Sequence, residues 1–183
     1  MKQTLINLFY YSSIINYFNT PHTSGMLINV LSKCNWPVDV YNHNPDTRNF
    51  DHICKIKNKY DKSCRLHIKK SEYHSGLIKN ILGEQATLFE FSKTKNGIFY
   101  DISVIPPGSG NCFSWKDCFS ISRKKGFNDA LSVSVKESNQ HANQRCKNLV
   151  CDTEQCGDAY LYPFDDEKTF YCGVDTNFTL TYC

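Results

Sequence analysis

Ten cysteines constrain this 183-residue chain more than any other feature. They are Cys34, Cys54, Cys64, Cys112, Cys118, Cys146, Cys151, Cys156, Cys172 and Cys183. An even count of this size fits an oxidising compartment better than the cytosol. No pair is spaced C-x-x-C and no H-E-x-x-H run occurs, so zinc sites and thioredoxin-like redox pairs find no support. No metal and no cofactor are expected, and the cysteines read as five disulfides. Spacing alone does not choose among roughly 945 pairings of ten thiols. Three pairs lie close in sequence: Cys54 with Cys64, Cys112 with Cys118, and Cys151 with Cys156. Cys183 is the last residue, and Cys34, near the start of the expected mature chain, is its natural candidate partner. Closing so long a loop restrains the unfolded chain most.

The route to an oxidising compartment is sought at the N-terminus. Met1-Lys2 is followed by the apolar residues Leu5, Ile6, Leu8 and Phe9 and then Ile14, Ile15 and Phe18, broken by asparagines and tyrosines. Residues 1–25 are read as a signal peptide and leader, with cleavage between Asn19 and Gly25, and residues 26–183 as a single domain. No later apolar stretch reaches the length of a membrane-spanning helix. A net charge of +3 is too weak to make nucleic acid the default partner. The charge is uneven: residues 51–70 carry seven cations against two acids, and residues 151–183 seven acids against one lysine. Both stretches read as solvated loops.

Hydrophobic residues recur with a period of two. Met26, Ile28 and Val30 form one such set; Thr87, Phe89 and Phe91 another; Ile98, Tyr100, Ile102 and Val104 a third. Leu131, Val133 and Val135 alternate with serines, and Phe178, Leu180 and Tyr182 with threonines. Such segments are half-buried strands. Lys95-Asn96-Gly97 reads as the turn of a hairpin pairing 88–93 with 98–105. No long amphipathic helix is evident, and the chain reads as an all-β, disulfide-stapled antiparallel sandwich.

Six segments, in order, resemble the thaumatin-like family. Val30-Leu31-Ser32-Lys33-Cys34-Asn35-Trp36-Pro37-Val38 is similar to its V-x-N-x-C-x-x-P-V strand. Thr87-Leu88-Phe89-Glu90-Phe91 resembles T-L-A-E-F, and Phe99-Tyr100-Asp101-Ile102-Ser103 matches F-Y-D-I-S. Gly126-Phe127-Asn128 is similar to the family's G-F-N. Cys156-Gly157-Asp158-Ala159-Tyr160-Leu161-Tyr162 resembles C-P-D-A-Y-S-Y, and Phe178-Thr179-Leu180-Thr181-Tyr182-Cys183 resembles the closing F-T-V-T-F-C. The span is Met26–Cys183, and the match is best to the small, ten-cysteine members, which lack the long second domain. The resemblance implies Cys34–Cys183, Cys54–Cys64, Cys146–Cys172 and Cys151–Cys156, leaving Cys112–Cys118 by subtraction in an insertion between Pro106 and Lys125.

The resemblance also implies an acidic cleft, built in the family from an arginine, a glutamate and three aspartates and associated with β-1,3-glucans. By motif the glutamate is Glu90 and two of the aspartates are Asp101 and Asp158; the third is replaced by Lys125, and Arg65 is a loose candidate for the arginine. Glu90, Asp101, Asp158 and Tyr160 are the expected ligand-binding residues. Glycoside hydrolysis needs two carboxyls, one acid and one base or nucleophile, about 5–5.5 Å or about 6.5–9.5 Å apart. Glu90 and Asp101 are the catalytic candidates if the chain is hydrolytic. A lysine at 125 beside them would keep both ionised and leave no acid.

The remaining signals are thinner. Phe113 and Trp115, on a segment clamped by Cys112 and Cys118, are candidate anchors for a protein partner. Asn177-Phe178-Thr179 is an N-glycosylation sequon. His22, His43, His52, His67, His74 and His141 are read as surface residues. For a secreted monomer the resemblance implies three functions: binding a cell-wall polysaccharide in defence or a host–microbe encounter; inhibiting a secreted glycoside hydrolase, as xylanase inhibitors within the family do; or weak endo-β-1,3-glucanase activity.

Overall fold

The computed structural model describes residues 25–44, 49–69, 74–136 and 145–183. The expected leader therefore lies outside the described residues except for Gly25, as do His22 and His141. Two sheets face each other. The first has five strands in the order β4-β1-β12-β8-β9. These are β1 (Gly25–Ser32), β4 (Arg65–Lys69), β8 (Leu131–Lys136), β9 (Leu149–Cys151) and β12 (Asn177–Tyr182). The second runs β10-β7-β6-β5-β2-β3, with β11 also paired to β7. Its members are β2 (Val38–Asn44), β3 (Asn49–Ile56), β5 (His74–Lys79), β6 (Leu88–Lys93), β7 (Ile98–Ser103), β10 (Ala159–Tyr160) and β11 (Phe170–Cys172). One helix, α1 (Trp115–Ser122), and a 3-10 turn at Asp166–Lys168 complete the described elements.

The period-two sets lie where the alternation predicts. Met26, Ile28, Val30, Phe89, Phe91, Ile98, Tyr100, Ile102, Leu131, Val133, Phe178, Leu180 and Tyr182 are all buried between the sheets. Phe178 of the first sheet meets Phe89 and Tyr100 of the second, with ring centroids 5.5 and 5.0 Å apart. The Tyr100 hydroxyl leaves this apolar centre satisfied, donating to the Lys147 carbonyl at 2.6 Å.

The sandwich departs from pure antiparallel pairing in two places: β1 runs parallel to β12, and β10 parallel to β7. Parallel strands end at the same edge. Ser32 is opposite Tyr182, so the residues just beyond, Cys34 and Cys183, come within 5.1 Å Cα to Cα and are bonded. The other disulfides are Cys54–Cys64, Cys112–Cys118, Cys146–Cys172 and Cys151–Cys156, the pairing that the resemblance implies.

The β6–β7 hairpin has the expected register, closed by a bond from the Thr94 N–H to the Gly97 carbonyl at 2.8 Å. Its glycine has a packing role: a Cβ on Gly97 would stand 2.4 Å from the Tyr171 ring. Helix α1 is new relative to the sequence reading. Ser114 caps it by accepting from the Asp117 N–H at 3.2 Å, and Arg123 ends it in the left-handed region at φ 57°. Its buried Cys118 ties it to Cys112.

Candidate functional site

Because Phe89, Phe91, Tyr100 and Ile102 point into the core, their neighbours on β6 and β7 must point outward. Glu90 and Asp101 are therefore on the outer face, and the register sets them directly opposite one another. The same row continues through Leu77 on β5 to His43 on β2. Two residues along, a second row runs Ser75, Ser92, Phe99, with the two serine hydroxyls hydrogen-bonded at 2.8 Å. These rows floor a cleft of about 620 Å³, walled by Ile105, Tyr160, Pro163 and Asp166.

The cleft is electrostatically unrelieved. Asp101 Oδ1 is buried without a hydrogen-bond partner. Burial first, and the facing Glu90 charge second, push the Asp101 carboxyl up to about 8. Burial raises Glu90 as well. Like charges opposed on one sheet face repel, so at neutral pH the pair retains a proton on Asp101, which becomes a donor beside an acceptor. The Tyr160 hydroxyl donates to Asp166 Oδ1 at 3.2 Å and accepts from the Thr169 hydroxyl. Burial raises its phenol, and the carboxyls of Asp101 and Asp166 add to that against the Thr169 bond. Among the described residues, no group of three or more histidine, cysteine, aspartate or glutamate side chains is arranged to hold a metal ion.

No family model matches the chain. In sequence it is 29% identical over 97 residues to a thaumatin-like protein of Oryza sativa subsp. japonica, covering 53% of this chain and 40% of that one. The chain thus spans less than half the length of the curated relative it matches. In structure it is similar to the thaumatin-like xylanase inhibitor TLXI, with a TM-score of 0.50 and 10% identity over 85% of this chain and 98% of the other. It is likewise similar to the protein elicitor MoHrip2 from Magnaporthe oryzae, at TM-score 0.50 and 12% identity over 86% of this chain and 98% of the other. The two-sheet architecture is shared with these neighbours. The fold is thaumatin-like.

Several residues of the chain stand apart from the places the motifs suggest. Glu90, Asp101 and Tyr160 meet in the cleft, but Asp158 does not line it. Asp158 accepts from Lys147 Nζ at 2.9 Å and from the Val150 N–H at 3.1 Å. Burial works against its charge, yet the Lys147 and Val150 bonds and the nearby lysine charges outweigh that and hold its carboxyl below the ordinary value. Lys125 is drawn to Glu154 at 2.9 Å and is absent from the cleft lining, so the expectation that it keeps both carboxyls ionised is overturned. Arg65 lies exposed on β4 in the opposite sheet. His43, read as a surface residue, is half-buried and lines the cleft.

The other candidate residues fall outside the cleft. Phe113 is 71% exposed and stacks on Phe164 with centroids 5.3 Å apart. Trp115 opens α1 and stacks on Phe119 at 5.2 Å, which leaves it half covered. The side-chain oxygen of Asn177 accepts from the Leu27 N–H at 2.8 Å, which fixes the sequon's side chain in the sheet. The missed residues are Asp166, His43 and the two serines. Asp166 lay in an acidic run that was visible in the sequence; His43 and the serines required the register of β2, β5 and β6.

Proposed function

We propose that this chain is a secreted protein that binds a cell-wall polysaccharide of the β-1,3-glucan class in the cleft, in a defence or host–microbe setting. The observation that carries this reading is the opposed Glu90–Asp101 pair with the buried, unpartnered Asp101 oxygen. A protonated carboxyl beside an acceptor matches the donor and acceptor character of sugar hydroxyls. The half-exposed ring of Phe99 and the side of Tyr160 offer apolar faces for pyranose rings. The same pair supports weak hydrolysis, with Asp101 as acid and Glu90 as base or nucleophile.

A second reading is a protein-binding inhibitor of a secreted hydrolase, a role named for one of the fold neighbours. The exposed Phe113 on its disulfide-clamped segment favours it.

The test is co-sedimentation of the oxidatively folded chain with insoluble β-1,3-glucan, xylan and cellulose, with released sugar assayed in the supernatant. Retention on β-1,3-glucan, lost in the double variant Glu90→Gln/Asp101→Asn and kept in Phe113→Ala, is the expected result. Released sugar adds the hydrolytic role. A carboxyl variant that sediments as well as the wild type refutes the cleft reading, and inhibition of a xylanase lost in Phe113→Ala supports the second.

A further inference from the structure

The floor of the cleft does not stop at Phe99. The row Ser75, Ser92, Phe99 continues to Tyr171 on β11, whose ring is tilted against Phe99 at 4.8 Å between centroids. Beyond that ridge lies a second hollow of about 510 Å³, lined by Thr94, Asn96, Phe99, Arg145 and Tyr171. Phe99 lines both spaces, so they adjoin.

This hollow is built on a rigid frame. The Tyr171 hydroxyl donates to the Asn96 carbonyl at 2.6 Å, and Gly97 leaves room for the ring. Arg145 Nη2 donates to the Thr169 carbonyl at 3.2 Å, and the Tyr171 N–H donates to the Arg145 carbonyl at 3.3 Å. The residues following these two, Cys146 and Cys172, are joined by a disulfide. An aromatic face and a guanidinium are thus presented in fixed relation at the end of the cleft. Fixed geometry lowers the entropy lost on binding.

We propose that the hollow is an outer subsite of the same binding site: a polysaccharide leaves the carboxyl pair, crosses Phe99 and lays a further sugar ring against Phe99 and Tyr171, with Arg145 contacting its hydroxyls. This rests on the polysaccharide reading of the cleft. From the His43 strand to the Tyr171 strand there are four inter-strand steps, about 19 Å at roughly 4.8 Å each. A free monosaccharide fills one of the two spaces; an extended chain occupies both. The ligand is therefore an oligomer recognised along its length, not a single sugar or a chain end.

The experiment is isothermal titration of the full, oxidised chain with β-1,3-linked glucose oligomers of increasing length, from the dimer upward. Affinity should rise with length by roughly tenfold or more, a factor well resolved by calorimetry. Tyr171→Ala and, on a separate element, Arg145→Gln should each flatten that rise and leave dimer affinity in the cleft unchanged, which also certifies that the variants fold. A wild-type dimer that binds as tightly as the longest oligomer overturns the outer subsite and leaves the cleft reading intact. A rise that survives in both variants overturns the subsite as well. Absence of binding at every length overturns the polysaccharide reading and this inference together.

Discussion

Asp101 and Asp158 are two half-covered aspartates that the family motifs assign to one acidic feature, and the fold treats them in opposite ways. Asp158 has a lysine and a backbone amide within 3.1 Å and lies below the ordinary carboxyl range. Asp101 has a buried oxygen with no hydrogen-bond partner, faces Glu90, and is pushed up to about 8. A carboxylate whose bonding capacity is spent inside the chain braces the fold; one left short keeps capacity for a further bond. A third aspartate belongs with Asp158: Asp129 accepts from Asn80 Nδ2 at 2.6 Å and Asn128 Nδ2 at 3.0 Å.

The contrast between frame and cleft can be broken from the frame side first. Cys34→Ser with Cys183→Ser opens a disulfide spanning 149 positions and should cost about 5 kcal/mol by the chain-entropy relation. Urea unfolding measures it, and complete reduction should abolish the near-ultraviolet dichroism. Asn128→Ala comes next. Its side chain accepts from the Thr87 N–H at 2.7 Å and donates to Asn80 Oδ1 at 2.8 Å as well as to Asp129. Leaving these groups unpaired should cost about 2–3 kcal/mol, with glucan affinity per folded molecule unchanged.

The smaller effects sharpen the comparison through pH. Folding raises the Asp101 pKa from 3.8 to about 8, so between these values the native state holds a proton that the unfolded chain has released. Stability from this group therefore falls as pH rises through that window and levels off above it. Asp101→Asn should flatten the slope and raise stability at pH 8 relative to the wild type. Asp158 has the opposite sign. Its depressed folded pKa gives stability that is present at neutral pH and lost as pH falls through that pKa, below the unfolded value of 3.8. Asp158→Asn should cost roughly 0.5–1 kcal/mol at pH 7 and nothing in strong acid. Denaturation midpoints for the two variants across the acid and neutral range check both signs.

The strands carrying the core were legible because each alternates apolar and polar residues over six to eight positions. The opposition of Glu90 and Asp101 followed from a hairpin whose turn was visible locally. The rest depended on distant pairing. His43 enters the cleft only through the register of β2 with β5, and the intervening segments are too polar to announce themselves as strands. Helix α1 is a single short element, yet Ser114 followed by Asp117 three residues later was a readable capping signal. Motif position misled at Lys125 and Asp158, since alignment gives a residue's place in the chain and not the partner that claims its charge. The G-F-N segment has a structural explanation. A Cβ on Gly126 would stand 2.2 Å from the Val104 carbonyl oxygen, and Asn128 clamps the start of β6 at Thr87.

The cleft reading requires that Asp101 be protonated, with one oxygen left unpartnered to serve a sugar. Carbon-13 NMR of labelled aspartate and glutamate carboxyls, titrated by pH with and without a soluble β-1,3-glucan oligomer, tests it most directly. The Asp101 resonance should titrate near 8, and the oligomer should shift Asp101 and Glu90 while Asp158 stays still. An Asp101 that titrates near its unperturbed 3.8 and ignores the oligomer would contradict it.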